Sequence, residues 1–311
     1  MVWMGCTMPR GWDKKYRHKR NWVNYNEHLV KRGELYLSLD FLQSWDEEIR
    51  RMNSGKRGRP FLYPDSFIRF TAILYHVFSL PYRQLEGVLR SLFRYLKGAK
   101  SPDYTTLFRR LSTLDIHLNL TDLDDNMVIA VDSTGVKVTN RGEWIRHKWK
   151  VKRGWIKLHV AVDVKSGKIV SYRITTEKVG DNAMFKPLIE DAYRNTGGKK
   201  IERVYGDGAY DTRSAFNFME EKNIQPAIKI RKTASTRSRG SPYRARHVRE
   251  YKRVGYEKWR EEVGYGKRWR VESTFSALKR IFGEGVRASS TEQMFREVEM
   301  RIMIYNLLLS I

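Results

Sequence analysis

The chain has 311 residues, 41% of them hydrophobic and 13% aromatic, which is enough to bury a core and excludes disorder throughout. A formal net charge of +25 calls for a polyanionic partner, with nucleic acid ahead of a membrane surface. No run of about 18 apolar residues spans a bilayer, the basic N-terminus lacks a secretion signal's apolar stretch, and the single Cys6 excludes a disulfide framework and a multi-cysteine zinc site. A reducing cytoplasm fits this cysteine usage.

Residues 1–20 read as a charged lead-in. A first helical region runs from Leu35 to Met52 and ends in the breaker NSGKRGRP. Asp65 or Ser66 is the expected cap of a second helix, whose apolar residues recur at helical spacing up to Leu80. Pro81 opens a third, and Ser101-Pro102 starts a short fourth containing Tyr104, Thr105, Thr106, Arg109 and Arg110. This order resembles a helix-turn-helix. Tyr104, Thr105 and Thr106 at a helix start can enter a major groove while Arg109 and Arg110 reach phosphates.

After about residue 124 the pattern changes to strands. Met127–Val138, Trp155–Val164 and Lys168–Glu177 are β-rich, the last two joined by the turn Lys165-Ser166-Gly167-Lys168. A helix from Asp181, a strand from Ile201, a helix from Thr212 and a strand from Ile224 follow. The order β-β-β-α-β-α-β predicts a mixed sheet flanked by helices, an α/β fold with the element order of ribonuclease H-like proteins. Residues 1–120 are then a helical DNA-binding region and 125–311 the sheet domain. A basic insertion at about 232–260 carries Tyr243, Tyr251, Tyr256 and Trp259 among its arginines and lysines, and reads as a surface that pairs with phosphates and stacks on bases.

Three carboxylates stand out by position. Asp132 lies inside an otherwise apolar strand, where an unpaired carboxylate is costly. Asp207 ends a strand between Gly206 and Gly208, at the kind of strand end where α/β sites gather. If those strands are neighbours, the two aspartates face one another and suit a cation of the magnesium type. Farther on, Tyr265, Arg268, Glu272 and Lys279 fall within roughly 60° of one another on a helical wheel. Val271, Phe275, Leu278 and Phe282 form a separate apolar stripe about 80° away. Folding alone needs only the apolar stripe. Asp163 reads as a turn residue, Asp181 and Asp211 as helix caps, and His147 and His159 as structural or DNA-proximal.

From about Pro64 onward the sequence resembles the DDE transposases of bacterial and archaeal insertion sequences, in the insertion sequence 5 group and its relatives. The resemblance rests on PYRQLEG with PDYTTLFRR, on VIAVDSTG, WIKLHVAVDVKSG and GDGAYD, and on the spacing Tyr-x2-Arg-x3-Glu-x6-Lys met by Tyr265, Arg268, Glu272 and Lys279. It implies that Asp132, Asp207 and Glu272 are catalytic and hold divalent metal, Mg²⁺ with Mn²⁺ able to substitute, and that Tyr265, Arg268 and Lys279 contact the DNA end. The implied activity is cleavage at transposon terminal inverted repeats and joining of the 3′-hydroxyl ends to target DNA. The implied partner is double-stranded DNA with no membrane, in a nucleoid-associated setting, with at least a homodimer at synapsis. Two alternatives are a ribonuclease H-like nuclease without strand transfer and a DNA-binding descendant that no longer catalyses.

Overall fold

The computed structural model describes residues 21–95, 100–120, 122–138 and 155–311. The lead-in, Cys6 and His147 lie outside the described residues. Helices begin earlier than the hydrophobic pattern predicts. Asn21 caps α1 (Trp22–Tyr36) by accepting from the Asn24 amide at 3.2 Å. No residue of α1 is fully buried, so no apolar stripe marks it in the sequence. A tight turn at Asp40–Leu42 leads into α2 (Trp45–Asn53), and α3 (Asp65–Val77) follows. Apart from Arg69, α3 is buried from Phe67 to His76, as a helix apolar on most sides must be. Neither proposed cap of α3 acts as one. Asp65 pairs with Arg110 at 2.5 Å, and the Ser66 hydroxyl donates to Glu48. Around α3 pack α4 (Tyr82–Phe93) and α5 (Tyr104–Thr113). The cap of α5 is Asp103 rather than Ser101, with the Thr106 amide donating to Asp103 at 2.7 Å.

The sheet has the anticipated ribonuclease H-like arrangement. Its strands are β1 (Asn126–Val138), β2 (Trp155–Asp163), β3 (Ile169–Thr176), β4 (Lys200–Gly206) and β5 (Gln225–Ile228), in spatial order β3-β2-β1-β4-β5. The first three are antiparallel, and β4 and β5 add in parallel. A two-residue β6 (Gly285–Val286) pairs with the far end of β1. The turn between β2 and β3 is the expected one. Asp163 accepts from the Ser166 amide at 2.7 Å, and Gly167, beneath the Arg270 guanidinium, adopts φ +79°, a left-handed conformation that favours glycine.

Side chains alternate between the two faces of the sheet. On one, here the near face, Ala130, Val138, Leu158, Val160 and Tyr205 join a core with α3, α10 (Trp269–Phe282) and α11 (Thr291–Leu308). That core is continuous with the N-terminal helices, because Phe41, Phe67 and Leu107 belong to it. On the far face, Ile129, Val131 and Ala161 pack with α6 (Asp181–Asn195) and α7 (Arg213–Glu221).

The basic insertion is helical, with α8 (Pro242–Val254) and α9 (Tyr256–Glu262). Of its four aromatic residues, Trp259 turns inward, which corrects the expectation of a stacking surface at that residue, while Tyr243, Tyr251 and Tyr256 stay half-buried. Trp259 is buried, with ring centroids 4.9 Å from Tyr251 and 5.0 Å from Tyr265. Asp211 is not a cap either: Thr212 caps α7, and Asp211 forms a buried pair with Arg244 at 2.6 and 2.9 Å. Burial of its ring in the near-face core stabilises the insertion and overrides the base-stacking reading at Trp259.

Candidate active site

Strand register brings the first two carboxylates together. Ala130 pairs with Tyr205 across the parallel β1–β4 ladder. Two residues further on stand Asp132, within β1, and Asp207, just past the end of β4. Each carboxylate is aimed by a backbone amide. Ser133 donates to Asp132 Oδ1 at 2.8 Å, and Ala209 donates to Asp207 Oδ1 at 2.8 Å. The second bond makes Asp207 the cap of the short turn Gly208–Tyr210.

The third carboxylate arrives on α10. A tight turn at Tyr265–Arg268 precedes the helix, so the polar stripe starts on that turn and continues into the helix. Val271, Phe275, Leu278 and Phe282 are all buried in the near-face core, as their spacing predicts. This fixes the rotation of α10 and turns Glu272 to the rim. Arg268 joins the parts: its guanidinium donates to Asp132 Oδ2 at 2.9 Å and also to Glu272. Burial raises the Asp132 carboxyl above the usual carboxylate range and neighbouring Asp207 adds to the rise, against the Ser133 amide and Arg268. Asp207 has no cation within ion-pair distance among the described residues.

The donor set suits a hard divalent cation: three carboxylates, oxygen ligands throughout, with negative charge that the protein meets only in part. A guanidinium already bridges two of them, which marks the spot as one that favours a cation. Among the described residues no cluster of three His, Cys, Asp or Glu side chains is tight enough to be a closed metal site. The guanidinium of Arg268 stands between Asp132 and Glu272.

The other anticipated residues divide. Tyr265 is buried, and its hydroxyl donates to the Gly206 carbonyl at 3.1 Å, one residue before Asp207. Burial raises its hydroxyl pKa well above that of free tyrosine. Lys279, half-buried two turns beyond Glu272, borders a crevice with Thr134, Val136 and Glu284. Tyr104, Thr105 and Arg109 are exposed on α5, away from the carboxylates. Thr105 and Arg109 line a groove of about 930 Å³ with Arg59, Arg90 and Lys100. Arg110 points inward, paired with Asp65, donating to the Tyr63 carbonyl at 2.7 Å and lying over the Phe61 ring.

Trp269 escapes the sequence reading, whereas Tyr256 and Arg260 belong to the basic insertion that it singled out. Trp269, Tyr256 and Arg260 line an open pocket of about 500 Å³ with Arg268 and Glu272. Trp269 is 68% exposed, one turn before Glu272. The signal that finds it is a tryptophan in the first turn of a helix but off its apolar stripe.

Comparison with known proteins places these features. A family model described as transposase DDE domain matches residues 124–307, and a second model of the same description matches residues 30–141. An uncharacterized protein of Aquifex aeolicus (strain VF5) is 27% identical over 319 residues, covering 96% of this chain and 92% of that protein. Among solved structures, the piggyBac transposase synaptic complex with hairpin DNA is similar at 10% identity, over 89% of this chain and 73% of that one, with TM-score 0.39. The Drosophila P element transposase strand transfer complex is similar at 13% identity, over 92% and 85%, with TM-score 0.29.

Proposed function

We propose, from the premise that this chain belongs to the transposase DDE domain family, that it binds insertion-sequence ends, hydrolyses a phosphodiester there and joins the freed 3′-hydroxyl to target DNA. The observation that carries the reading is the meeting of Asp132, Asp207 and Glu272 on one face, the first two by strand register and the third through Arg268. Asp132, Asp207 and Glu272 would hold divalent metal, Mg²⁺ with Mn²⁺ able to replace it. Two such ions supply an activated oxygen nucleophile and neutralise charge on the phosphate.

The chain's own groups do the rest. The Ser133 and Ala209 amides keep two carboxylates oriented before DNA arrives. Arg268, forked and planar, grips a phosphate beside the scissile bond once its carboxylates have another cation. Lys279, farther along the same stripe, meets the next phosphate of the end. Tyr265 acts from beneath, through the Gly206 carbonyl, and holds the tip of β4 in place. Thr105 and Arg109, in the basic groove with Tyr104 at the start of the same helix, contact duplex DNA away from the cut. Synapsis of two inverted-repeat ends calls for at least a homodimer, in a nucleoid-associated setting.

The test is a supercoiled-plasmid assay with an end-bearing duplex. Wild type with Mg²⁺ should nick the end and transfer the strand. Asp132→Ala, Asp207→Ala and Glu272→Ala should each abolish both steps while DNA affinity stays within a few-fold. Nicking without transfer favours the nuclease alternative. Cleavage that survives excess EDTA, or an active Asp132→Ala protein, overturns the metal assignment.

A further inference from the structure

Asp181, expected to cap α6, leaves the cap position to Gly180 and lies 2.9 Å from Lys157 Nζ and 3.4 Å from Nδ1 of the buried His159. Its charge is met inside the protein. The loop after β5 carries charge of the opposite sign that the protein does not meet. With the starts of α7 and α8 it encloses a cavity of about 360 Å³ lined by Arg213, Arg231, Arg237, Arg239 and Arg244. One carboxylate, Asp211, also lines the cavity, and Arg244 takes it in their buried pair. Among the described residues, the other four arginines have no carboxylate within ion-pair distance. Like charges at this density repel one another, and folding gains nothing from bringing them together.

The cavity wall is fixed from α7. The Arg213 guanidinium donates to the Arg239 carbonyl at 2.6 Å, and the Asn217 side-chain amide donates to the Gly240 carbonyl at 3.0 Å. Between these bonds Arg239 sits at φ +41°, in the left-handed region that residues other than glycine seldom enter. Arg231 is anchored as well. Its amide donates to Asp211 at 3.0 Å, and its guanidinium donates to the carbonyls of Gly208 at 2.5 Å and Ala209 at 3.0 Å. Arg237 and Arg239 are exposed at the rim.

Arg231 ties the cavity to the carboxylates. The turn whose carbonyls it holds is the one whose Ala209 amide donates to Asp207 Oδ1. Strand order gives the direction. Lys279 borders its crevice with Thr134, Val136 and Leu158, on β1 and β2. The arginine cavity lies past β5, at the other end of the order β2-β1-β4-β5. Asp132 on β1 and Asp207 at the tip of β4 stand between the two. A duplex that rests on Lys279 and crosses the carboxylates continues toward the arginines.

We propose that this cavity binds backbone phosphates of the DNA across the cut from the element end: flanking DNA before cleavage, or target DNA at joining. The inference rests on the reading of Asp132, Asp207 and Glu272 as the cutting site and of Lys279 as a contact to the end. Guanidiniums suit the ligand, because each can fork onto two phosphate oxygens. Contacts to phosphate hold a duplex without reading its sequence, which suits DNA that is not part of the element.

The experiment compares wild type, Arg237→Ala with Arg239→Ala, and Lys186→Ala with Arg194→Ala. The last pair removes the same charge from exposed positions on α6. One arm measures affinity across a salt series for an end-bearing duplex with its flank, and for the same duplex stopping at the cut. The other arm measures joining of the precut duplex to a supercoiled plasmid. With the flank present, the arginine pair should bind roughly 10-fold more weakly, with a salt slope lower by about two. On the precut duplex it should bind as wild type does, and its joining to plasmid should fall roughly 10-fold. The α6 pair should match wild type throughout. Loss in the first arm alone assigns the cavity to flanking DNA, and loss in the second alone to target DNA; either upholds the site. Equal losses of affinity on the two duplexes, equal losses in the two charge-matched variants, or no loss in either arm overturn it. Where the arginine pair fails to fold, Arg237→Ala alone is read in the same way. Wild type that neither cuts nor joins defeats the proposed function and this inference with it. Active wild type beside an arginine variant that matches it defeats this inference alone.

Discussion

Asp132 and Ser133 are neighbours in one strand, and the two faces they point to treat charge in opposite ways. On the far face Asp181 has Lys157 and His159 beside it, and beyond β4 Asp211 has two nitrogens of Arg244. On the near face Asp132 and Glu272 share the guanidinium of Arg268, Asp207 has no ion-pair partner among the described residues, and the Asp132 carboxyl is pushed up by burial and by Asp207. A buried charge that the protein itself satisfies belongs to the scaffold. One left short of partners is set aside for a ligand.

The comparison breaks most easily at Asp211. Arg244→Ala leaves that carboxylate buried without its partner, and removal of one member of a buried pair typically costs about 3–5 kcal/mol. Stability measured by denaturant should fall by that order, while cleavage per folded molecule stays near wild type. A large loss of cleavage with little loss of stability would move Asp211 into the group set aside for ligands.

Arg268→Ala should do the reverse. Without DNA, freeing Asp132 and Glu272 should raise Mn²⁺ affinity, by about 10-fold if the lost competition is worth ~1.4 kcal/mol. Cleavage should nonetheless fall by about 100-fold, because the DNA end loses its grip and misplacement of that size is costly. Wild type should bind Mn²⁺ more tightly when end DNA is present, by linkage, and the variant should lose this coupling. Equal or weaker Mn²⁺ binding by Arg268→Ala would show that the guanidinium does not compete for the carboxylates.

The smallest effect separates two adjacent arginines on α5. Arg110 is held by Asp65, the Tyr63 carbonyl and the Phe61 ring, whereas Arg109 is exposed in the basic groove. Arg110→Ala should lower stability by about 1–2 kcal/mol. Arg109→Ala should leave stability within about 0.5 kcal/mol and reduce the salt dependence of DNA binding by about one phosphate contact. Identical salt slopes for the two variants would remove α5 from the DNA-binding surface.

The parts of this arrangement that follow from period were legible in the sequence. An aspartate in an apolar strand, an aspartate at a strand end between glycines, and a polar stripe beside an apolar one on a single helix give Asp132, Asp207 and Glu272 without coordinates. What depends on distant partners was not legible. Asp181 looks like a cap because caps and first-turn acids share residue types, and only the β1–β2 register reveals Lys157 and His159 beside it. Which of Arg109 and Arg110 turns inward is decided by Asp65, 45 positions away. The tyrosine and tryptophan of the basic insertion read as a nucleic-acid surface until Trp259 is seen packed between Tyr251 and Tyr265. Charge density is visible in a sequence, but the side of a helix that finds a core of its own is not.

The near-face core has a consequence in time. Its strands, β1 to β5, are complete by Ile228, but the helices that cover that face, α10 and α11, come after Arg268 in the chain. During synthesis the N-terminal part emerges first and folds as far as its contacts allow. The far face can close early, since α6 and α7 lie between the strands it covers. Asp132 and Asp207 can therefore be aimed while the chain is still on the ribosome, yet Arg268 and Glu272 reach them only after α10 has emerged. A polypeptide that stops before that point has the sheet and most of its basic surface but lacks the third carboxylate of the proposed site.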